Sequence, residues 1–436
     1  MKALDARDRR ILALAVPALG TLAAEPTYVL VDTAIVGRLG TVPLGGLALA
    51  TTVLTTLAWA CNFLAFGTTS RVAFLTGRGD HKGAASVGAQ SLWLCAALGV
   101  PLALVVGLAG RPLAAALGGE GEILDSATTY LRISAATMPC LLIALAGQGY
   151  LRGLSDTRTP LAVLVTANVL NLVLDVVFVY GLDMGLAGSA WATLLAQLLA
   201  AGWFLVLCGR RILAAETTLR PLPAEMARLV RTGGHLFVRT AALLAVLSLA
   251  TAVAARVSPA TLGAHQIAFQ LFVFLALVVD ALAVAGQAIV GTDLGAAAVD
   301  SAEELGARLL RLSCWVGAVI GVALVVLSPL LPRLFSADDA VVSRAAIAVA
   351  ALGVMQVPGA VTFVLDGVLM GGSDFAYVKW VTLGALGVFL PVAGAVLLWP
   401  GLGIAGLWGG LLAWMTTRAA LNLARFRSGR WTAVAT

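Results

Sequence analysis

The stretch ILALAVPALGTLAAEPTYVLVDTAIVGRL, residues 11–39, decides how the rest of the chain is organised. It is long enough to cross a bilayer as one helix, but Glu25 and Asp32 interrupt its apolar run. Acidic side chains inside a span are costly unless they face protein or water. Four polar side chains fall on one face of this helix, at steps of four, three and four residues: Thr21, Glu25, Tyr28 and Asp32. The stripe predicts a functional face, which begins after a bend point at Pro17.

The composition identifies the class of protein. The 436 residues are 60% hydrophobic and only 11% charged, with a mean hydropathy of +0.99. These values predict an all-α integral membrane protein without a separate soluble domain. Twelve spans are predicted, over about residues 11–37, 43–76, 86–109, 124–150, 160–181, 186–208, 229–257, 260–291, 306–331, 341–370, 376–399 and 402–424.

The basic residues predict the orientation of the spans. Most of the 28 Lys and Arg residues lie at the two termini and in the even-numbered loops between spans. Cytoplasmic loops carry the excess of positive charge in membrane proteins. Both termini are therefore predicted to be cytoplasmic, in a protein of the plasma or inner membrane. This distribution accounts for the net charge of +6, which does not predict a nucleic-acid partner.

An internal repeat divides the chain at half its length of 436 residues. Four short motifs recur at an offset of 218 residues: TAIVGRL with TAVAARV, LGG with LGA, SD with SD, and GLAGSAW with GIAGLWG. Six spans per repeat give both halves the same orientation across the membrane, as two parallel repeats. We therefore predict an N-terminal lobe over 1–208, a cytoplasmic linker over 209–228 and a C-terminal lobe over 229–436, with the lobes around a central cleft.

Polar side chains recur in the predicted fifth and sixth spans, at steps of three or four residues: Asn168, Asn171 and Asp175 in one, and Thr193 and Gln197 in the other. Counted from the predicted span ends, Asp32, Asp175 and Thr193 lie at one depth, roughly 10 Å below the outer surface. Three helices are therefore expected to bring these side chains together.

Two carboxylates that meet in an apolar setting can hold a proton, because keeping both ionised is costly. With neutral oxygens from Asn171 and Thr193, Asp32 and Asp175 could instead form a sodium site. The positions 218 residues further on are apolar, so this site is predicted in the first half alone. The structural alternative is that the polar residues only join helices by hydrogen bonds.

Two further acids, Asp280 and Asp366, lie in the inner halves of the eighth and tenth spans. They could act at a gate or a second site, or they could pair with polar groups near the cytoplasmic end. The spans contain little positive charge beyond Arg239. A cavity with few cations argues against an anionic lipid headgroup as the substrate.

Four stretches resemble the MATE (multidrug and toxic compound extrusion) transporters, in particular the DinF-like branch: AEPTYVLVDTAIVGRLG, GYLRGLSDTRTP, NLVLDVVFVYGLDMGLAGSAWATLLAQ and FVLDGVLMGGSD. The resemblance covers essentially the whole chain and implies that Asp32 is the coupling carboxylate of the first span. It also implies roles for these residues: Asn171, Asp175 and Thr193 in the cation site, Pro17 at the bend of the first helix, and Tyr28 in the cavity lining. The seventh span lacks the acid of the NorM-like branch, which leaves Asp366 without that partner.

The patterns and the resemblance together predict a secondary antiporter that exports amphipathic, cationic organic compounds by alternating access, in exchange for H⁺ or, as the alternative ion, Na⁺. Glu25, Asn168 and Gln197 are expected to line the substrate cavity or to take part in its conformational change. The predicted partners are a small organic substrate and membrane lipid, with no cofactor, no obligate protein partner and no metal besides Na⁺. An enzyme is not predicted, because no span combines the groups that catalysis needs. The alternative is a lipid or lipid-linked precursor flippase of the same superfamily.

Overall fold

The computed structural model describes residues 5–434, and over that range the chain is helical with no β-strand. The α-helices of this range are α1 Ala6–Gly37, α2 Thr41–Cys61, α3 Phe63–Gly77, α4 His81–Ala116, α5 Gly121–Ser134, α6 Thr137–Gly153, α7 Arg158–Asp175, α8 Gly185–Ala214, α9 Pro223–Val257, α10 Pro259–Gly295, α11 Val299–Leu327, α12 Asp339–Gly371, α13 Phe375–Leu398 and α14 Gly403–Arg427. A π-helical segment, Val176–Gly181, continues α7.

Ten helical segments of the described chain are long and apolar enough to cross a membrane. One of them joins α2 and α3 across Asn62, and the pair α5 and α6, bent by 54°, forms an eleventh. The remaining helix, α14, has 25 residues but carries Arg418, Arg425 and Arg427, which lower its hydropathy. The predicted all-α membrane fold with twelve spans is therefore confirmed.

The helices group into two compact units. The N-terminal unit is Val16–Gly233, and the C-terminal unit combines the chain up to Ala15 with the chain from Gly234 onwards. Both α1 and α9 therefore cross a unit boundary, whereas the predicted lobes, 1–208 and 229–436, each contain one of these helices whole. Between α8 and α9 only residues 215–222 are non-helical, so most of the predicted linker, 209–228, belongs to these two helices.

Ion pairs attach the beginning of α1 to the C-terminal unit. Arg308 Nε of α11 lies 2.6 Å from Asp8 Oδ1. Arg10 Nη1 lies 3.2 Å from Asp293 Oδ1, near the end of α10. Exposed pairs of this kind contribute little stability one by one. Their shared direction nevertheless explains why the first turns of α1 pack with the C-terminal unit.

The backbone repeats the offset of 218 residues found in the sequence. Three pairs of residues with left-handed backbone angles are separated by this offset, with φ in degrees: Gly79 at 77 and Ala297 at 58, Ser155 at 60 and Ser373 at 61, and Gly185 at 56 and Gly403 at 50. Residues other than glycine rarely adopt such angles. The two halves therefore follow the same turns, and the sequence repeat is a structural repeat.

The Ser-Asp motif of each half ends in the same kind of ion pair. Asp156 Oδ2 lies 2.9 Å from Arg211 of α8, and Asp374 Oδ2 lies 2.7 Å from Arg425 of α14. Burial raises the pKa of Asp156, but hydrogen bonds from Thr159 and Arg211 outweigh it, so this pKa lies below its ordinary value. Each half thus ties the loop before its fifth span to the end of its last helix.

Glycines allow close backbone contact at equivalent places in the two halves. On α6, a Cβ atom added at Gly149 would lie 3.0 Å from Ala65 Cα of α3. On α12, a Cβ atom added at Gly367 would lie 2.8 Å from Ala283 Cα of α10. Small residues at helix interfaces are typical of membrane proteins, where helix association depends on close packing. These two contacts form matching parts of the two cores.

We expect Gly367→Ala to destabilise the C-terminal unit by about 1–3 kcal/mol, because the added methyl group meets backbone atoms that no change of rotamer can move. Thermal unfolding in detergent, followed by tryptophan fluorescence, measures this loss. Gly359→Ala on the same helix is the matched control, because no atom lies within 4 Å of its added Cβ. Helix propensity makes that change neutral or stabilising by up to about 1 kcal/mol. Equal loss in both variants would contradict the packing explanation.

Candidate functional site

Asp32, in the second half of α1, is buried with only 5% of its surface exposed. Its Oδ1 accepts a hydrogen bond from Ser189 Oγ of α8 at 2.6 Å. Ser189 is itself fully buried. A hydroxyl that donates to a carboxylate makes one of the stronger kinds of hydrogen bond in proteins. Helix α8 thereby fixes the position of the first acid of the predicted site.

Asp175 ends α7, where the helix widens into the π-helical segment Val176–Gly181. Such π-helical turns occur frequently at functional sites. In the amide orientation that satisfies its neighbours, Asn171 donates to Asp175 Oδ2 at 2.9 Å and accepts from the Thr193 backbone N–H at 3.1 Å. The Thr193 hydroxyl lies 2.8 Å from Tyr28 Oη. A continuous set of contacts therefore joins α7, α8 and α1.

The two acids of this cluster are also electrostatically linked. The charge of Asp32 acts on Asp175, which is 1% exposed. Asp175 Oδ1 has no hydrogen-bond partner among the residues that the structure describes. A buried polar atom without a partner is unfavourable, and for an ionised group the cost is greater. The arrangement can therefore bind a proton or a cation at this oxygen.

The other predicted cavity residues do not join this hydrogen-bonded cluster. Asn168 Nδ2 donates to the Ala24 carbonyl oxygen at 3.0 Å, a contact that ties α7 to α1. Glu25 is exposed and Gln197 is half-buried. Within residues 5–434, neither of these two side chains makes a hydrogen bond or an ion pair. The structure therefore leaves them outside the cluster that holds the acids.

Pro17 lies inside α1, which continues as a helix through it and through Pro26. Proline cannot donate a backbone hydrogen bond, so the Ala13 carbonyl loses its usual partner. The Thr21 hydroxyl donates to the Pro17 carbonyl oxygen at 3.0 Å. The boundary between the two units falls between Ala15 and Val16, directly before Pro17. The weakest point of the helix thus coincides with the change from one unit to the other.

Two side chains at the site are not singled out by the sequence patterns. Ser189 precedes Thr193 by four residues, and this helical spacing is the signal that could have identified it. Tyr130 of α5 is 3% exposed and lies beside Thr193, Ser189 and Asp32. No local pattern marks Tyr130, because α5 reaches the site only through tertiary packing.

In the C-terminal unit, Asp366 of α12 lies in a buried cluster of charged and polar side chains. Its Oδ2 accepts hydrogen bonds from Arg239 Nη2 of α9 at 2.6 Å and from Arg418 Nη2 of α14 at 2.8 Å. Its Oδ1 accepts from Asn422 Nδ2 at 2.7 Å. Asp280 of α10 is partly exposed and interacts electrostatically with the same three charged groups. The two acids predicted for a gate or second site are therefore neighbours, and arginines hold one of them.

The expectation that the spans hold little positive charge beyond Arg239 is wrong. Arg418 is 1% exposed inside α14. Its position near Arg425, Arg427 and Arg430 makes it resemble one more cytoplasmic charge in the sequence. Burial of a guanidinium is tolerated here because a buried carboxylate bonds to it.

Comparison with known proteins places both halves of the chain in one family. A family model described as MatE matches residues 17–177 and 237–394. Protein DETOXIFICATION 44, chloroplastic, of Arabidopsis thaliana is 31% identical, over 97% of this chain and 83% of that protein. DNA damage-inducible protein F of Escherichia coli is 26% identical, over 99% of this chain and 95% of that protein. A solved structure of a MATE protein in the bent conformation has the same fold, with a TM-score of 0.91 at 22% identity, over 99% of this chain and 96% of that chain.

Proposed function

The chain belongs to the MATE family, and we propose that it exports amphipathic, cationic organic compounds in exchange for protons. Membership of this family makes it a membrane transporter for the efflux of small molecules. The observation that carries the finer proposal is the buried acid pair Asp32 and Asp175, in which Asp175 Oδ1 has no partner in the described chain. Negative charge in an apolar site attracts both organic cations and protons.

A proton suits the acid pair better than a sodium ion. Hard metal cations need several converging oxygen ligands. Here the neutral oxygens are already engaged, since the Thr193 hydroxyl contacts Tyr28 and the Asn171 oxygen accepts from the Thr193 N–H. A proton needs only one free carboxylate oxygen. We therefore assign proton binding to Asp175 and Asp32 together, with Na⁺ at Asp32, Asn171, Asp175 and Thr193 as the alternative.

In the proposed cycle, protons and substrate compete for the same negative charge. A proton that arrives from outside neutralises the acid pair, so the cationic substrate loses its attraction to the site. Helix α1 then bends at Pro17, and the substrate leaves to the outside. Release of the proton to the inside restores the charge that binds the next substrate. Competition between two ligands for one site couples their opposite movements by linkage.

The proposal can be tested with purified protein in proteoliposomes loaded with a fluorescent cationic dye. A proton gradient and a sodium gradient are imposed in separate experiments. Dye movement driven by the proton gradient alone supports the proposal, whereas movement driven by sodium alone assigns the alternative ion. Dye that moves under neither gradient would refute coupled export of this cation.

We expect Ser189→Ala to slow proton-driven dye export by about tenfold or more, because a hydrogen bond to a charged group is lost at Asp32. Initial export rates at equal protein density provide the measurement. Ser134→Ala is the matched control, because Ser134 is equally buried but its hydroxyl has no partner within residues 5–434. Equal rates in the two variants would show that the Ser189 contact does not support transport.

We also propose that the chain lies in the plasma or inner membrane with both termini in the cytoplasm, on the basis of its distribution of basic residues. Reporter fusions after the last residue test this orientation. Green fluorescent protein should fluoresce at that position, and alkaline phosphatase should remain inactive there. The reverse pattern would place the C-terminus outside.

A lipid or lipid-linked precursor flippase is the second candidate function. The pair of buried arginines, Arg239 and Arg418, is the observation that favours it, because an anionic headgroup requires positive charge. Both guanidinium groups are already bonded to Asp366, however, which reduces their attraction for a headgroup. Translocation of a fluorescent anionic phospholipid in the same proteoliposomes, in the absence of dye export, would select the flippase.

A further inference from the structure

We propose that the buried charge cluster of the C-terminal unit binds the carboxylate group of a small organic anion. We define the arginine cluster by five residues: Arg239, Asp280, Asp366, Arg418 and Asn422. These side chains come from α9, α10, α12 and α14 and lie within one compact unit. The site is separate from the acid pair of the N-terminal unit and recognises the opposite charge.

The unpartnered atoms of the arginine cluster call for an acceptor. Arg239 Nε and both Nε and Nη1 of Arg418 are buried without a hydrogen-bond partner in the described chain. Trp414 Nε1 is a fourth such donor, and the Arg418 guanidinium lies 5.1 Å from the centre of the Trp414 ring. The only unpartnered acceptor of the cluster, within residues 5–434, is Asn422 Oδ1. A carboxylate supplies two oxygens that accept in several directions.

The charges of the arginine cluster favour the same ligand. Two guanidinium groups face one fixed carboxylate, that of Asp366, and this leaves an excess of one positive charge. Asp280 cancels the excess when it is ionised and leaves it in place when it is protonated. An anion therefore binds together with a proton on Asp280, in competition with the Asp280 charge. Guanidinium and carboxylate groups also match in geometry, since two N–H groups can meet two oxygens.

Exposure indicates how a ligand reaches the arginine cluster and how large it is. The side chain of Arg239 is 11% exposed and Asp280 is partly exposed, whereas the side chains of Arg418 and Asp366 are 1% and 2% exposed. A ligand meets Arg239 and Asp280 first. The unpartnered donors behind them have almost no exposed surface, so a compact carboxylate fits this site better than a phospholipid headgroup.

Binding of [¹⁴C]benzoate to the full-length protein in phosphatidylcholine nanodiscs, without any ion gradient, tests the proposal. We expect saturable binding that Arg418→Gln weakens by about 30-fold or more, because a buried charged partner is removed. Asp366→Asn and Asp280→Asn should bind benzoate more tightly than wild type, because each removes a negative charge that opposes the ligand. Arg425→Gln is the matched control, since it removes an arginine of the same helix that pairs with Asp374 instead.

Three results would overturn the assignment. The first is the absence of saturable binding in both wild type and Asp366→Asn, which would make the cluster purely structural. The second is an equal loss in Arg418→Gln and Arg425→Gln. The third is binding that disappears in phosphatidylglycerol nanodiscs, which would identify a lipid phosphate as the occupant. Because Asp366→Asn is expected to gain binding, misfolding cannot imitate it, and the result does not depend on proton-driven export.

Discussion

Asp32→Asn is expected to reduce proton-driven dye export to the level of liposomes without protein. The amide keeps the shape of the side chain and can still accept the hydrogen bond from Ser189. It cannot bind the proton or carry the charge that acts on Asp175. The loss should therefore appear in the export rate, measured at equal reconstitution, and not in folding or membrane insertion.

Asp183→Asn is the matched control for this prediction. Asp183 is exposed and has a left-handed backbone with φ of 52°, a conformation that asparagine adopts readily. We expect this control to export dye at the wild-type rate. Asp175→Asn should lose export as Asp32→Asn does, and the double variant should lose no more, because residues that act as one unit are not additive. Wild-type export by Asp32→Asn would remove the acid pair from the mechanism.

Helical spacing was sufficient to predict which acids meet in the N-terminal unit. Asp32 and Tyr28 lie one turn apart on α1, and Asn171 and Asp175 lie one turn apart on α7, so each pair shares a face by geometry alone. The predicted depth then brought Thr193 to the same level. The structure places all of these side chains in one set of contacts.

Contacts that arise only from tertiary packing could not be predicted in this way. Tyr130 approaches the site from α5, and nothing in its neighbourhood in the sequence indicates this. The π-helical segment after Asp175 depends on local hydrogen bonding that the apolar run VVFVYG does not reveal. Arg418 looks like a cytoplasmic charge until its bond to Asp366 is seen. Burial of a charge is decided by the partner, and the partner lies on another helix.

The division of α1 between the two units was equally invisible in the hydropathy pattern. The helix is continuous, and its apolar run gives no sign of a boundary between Ala15 and Val16. The ion pairs of Asp8 and Arg10 with α11 and α10 hold the first turns in the C-terminal unit. Asp32 belongs to the N-terminal unit, so the segment around Pro17 carries any movement that passes between these two attachments.

Pro17→Ala is therefore expected to leave dye binding intact but to slow export strongly. Alanine restores the hydrogen bond to the Ala13 carbonyl and favours a straight helix by about 3 kcal/mol relative to proline. If bending of α1 at this residue accompanies release, such a bias lowers the population of the bent state by more than about a hundredfold. Export from proteoliposomes and dye binding at fixed pH are measured on the same preparation. The expected result is a large loss in the first measurement with little change in the second.

Pro26→Ala provides the matched control, because it restores the same kind of hydrogen bond further along the same helix, wholly inside the N-terminal unit. The hinge is assigned to the residue that lies at the unit boundary, so straightening α1 at Pro26 should change export little. Full export by Pro17→Ala together with its loss in Pro26→Ala would move the hinge to the second proline. Loss in both variants would mean that α1 bends over the whole interval between them, and that the unit boundary does not locate the movement.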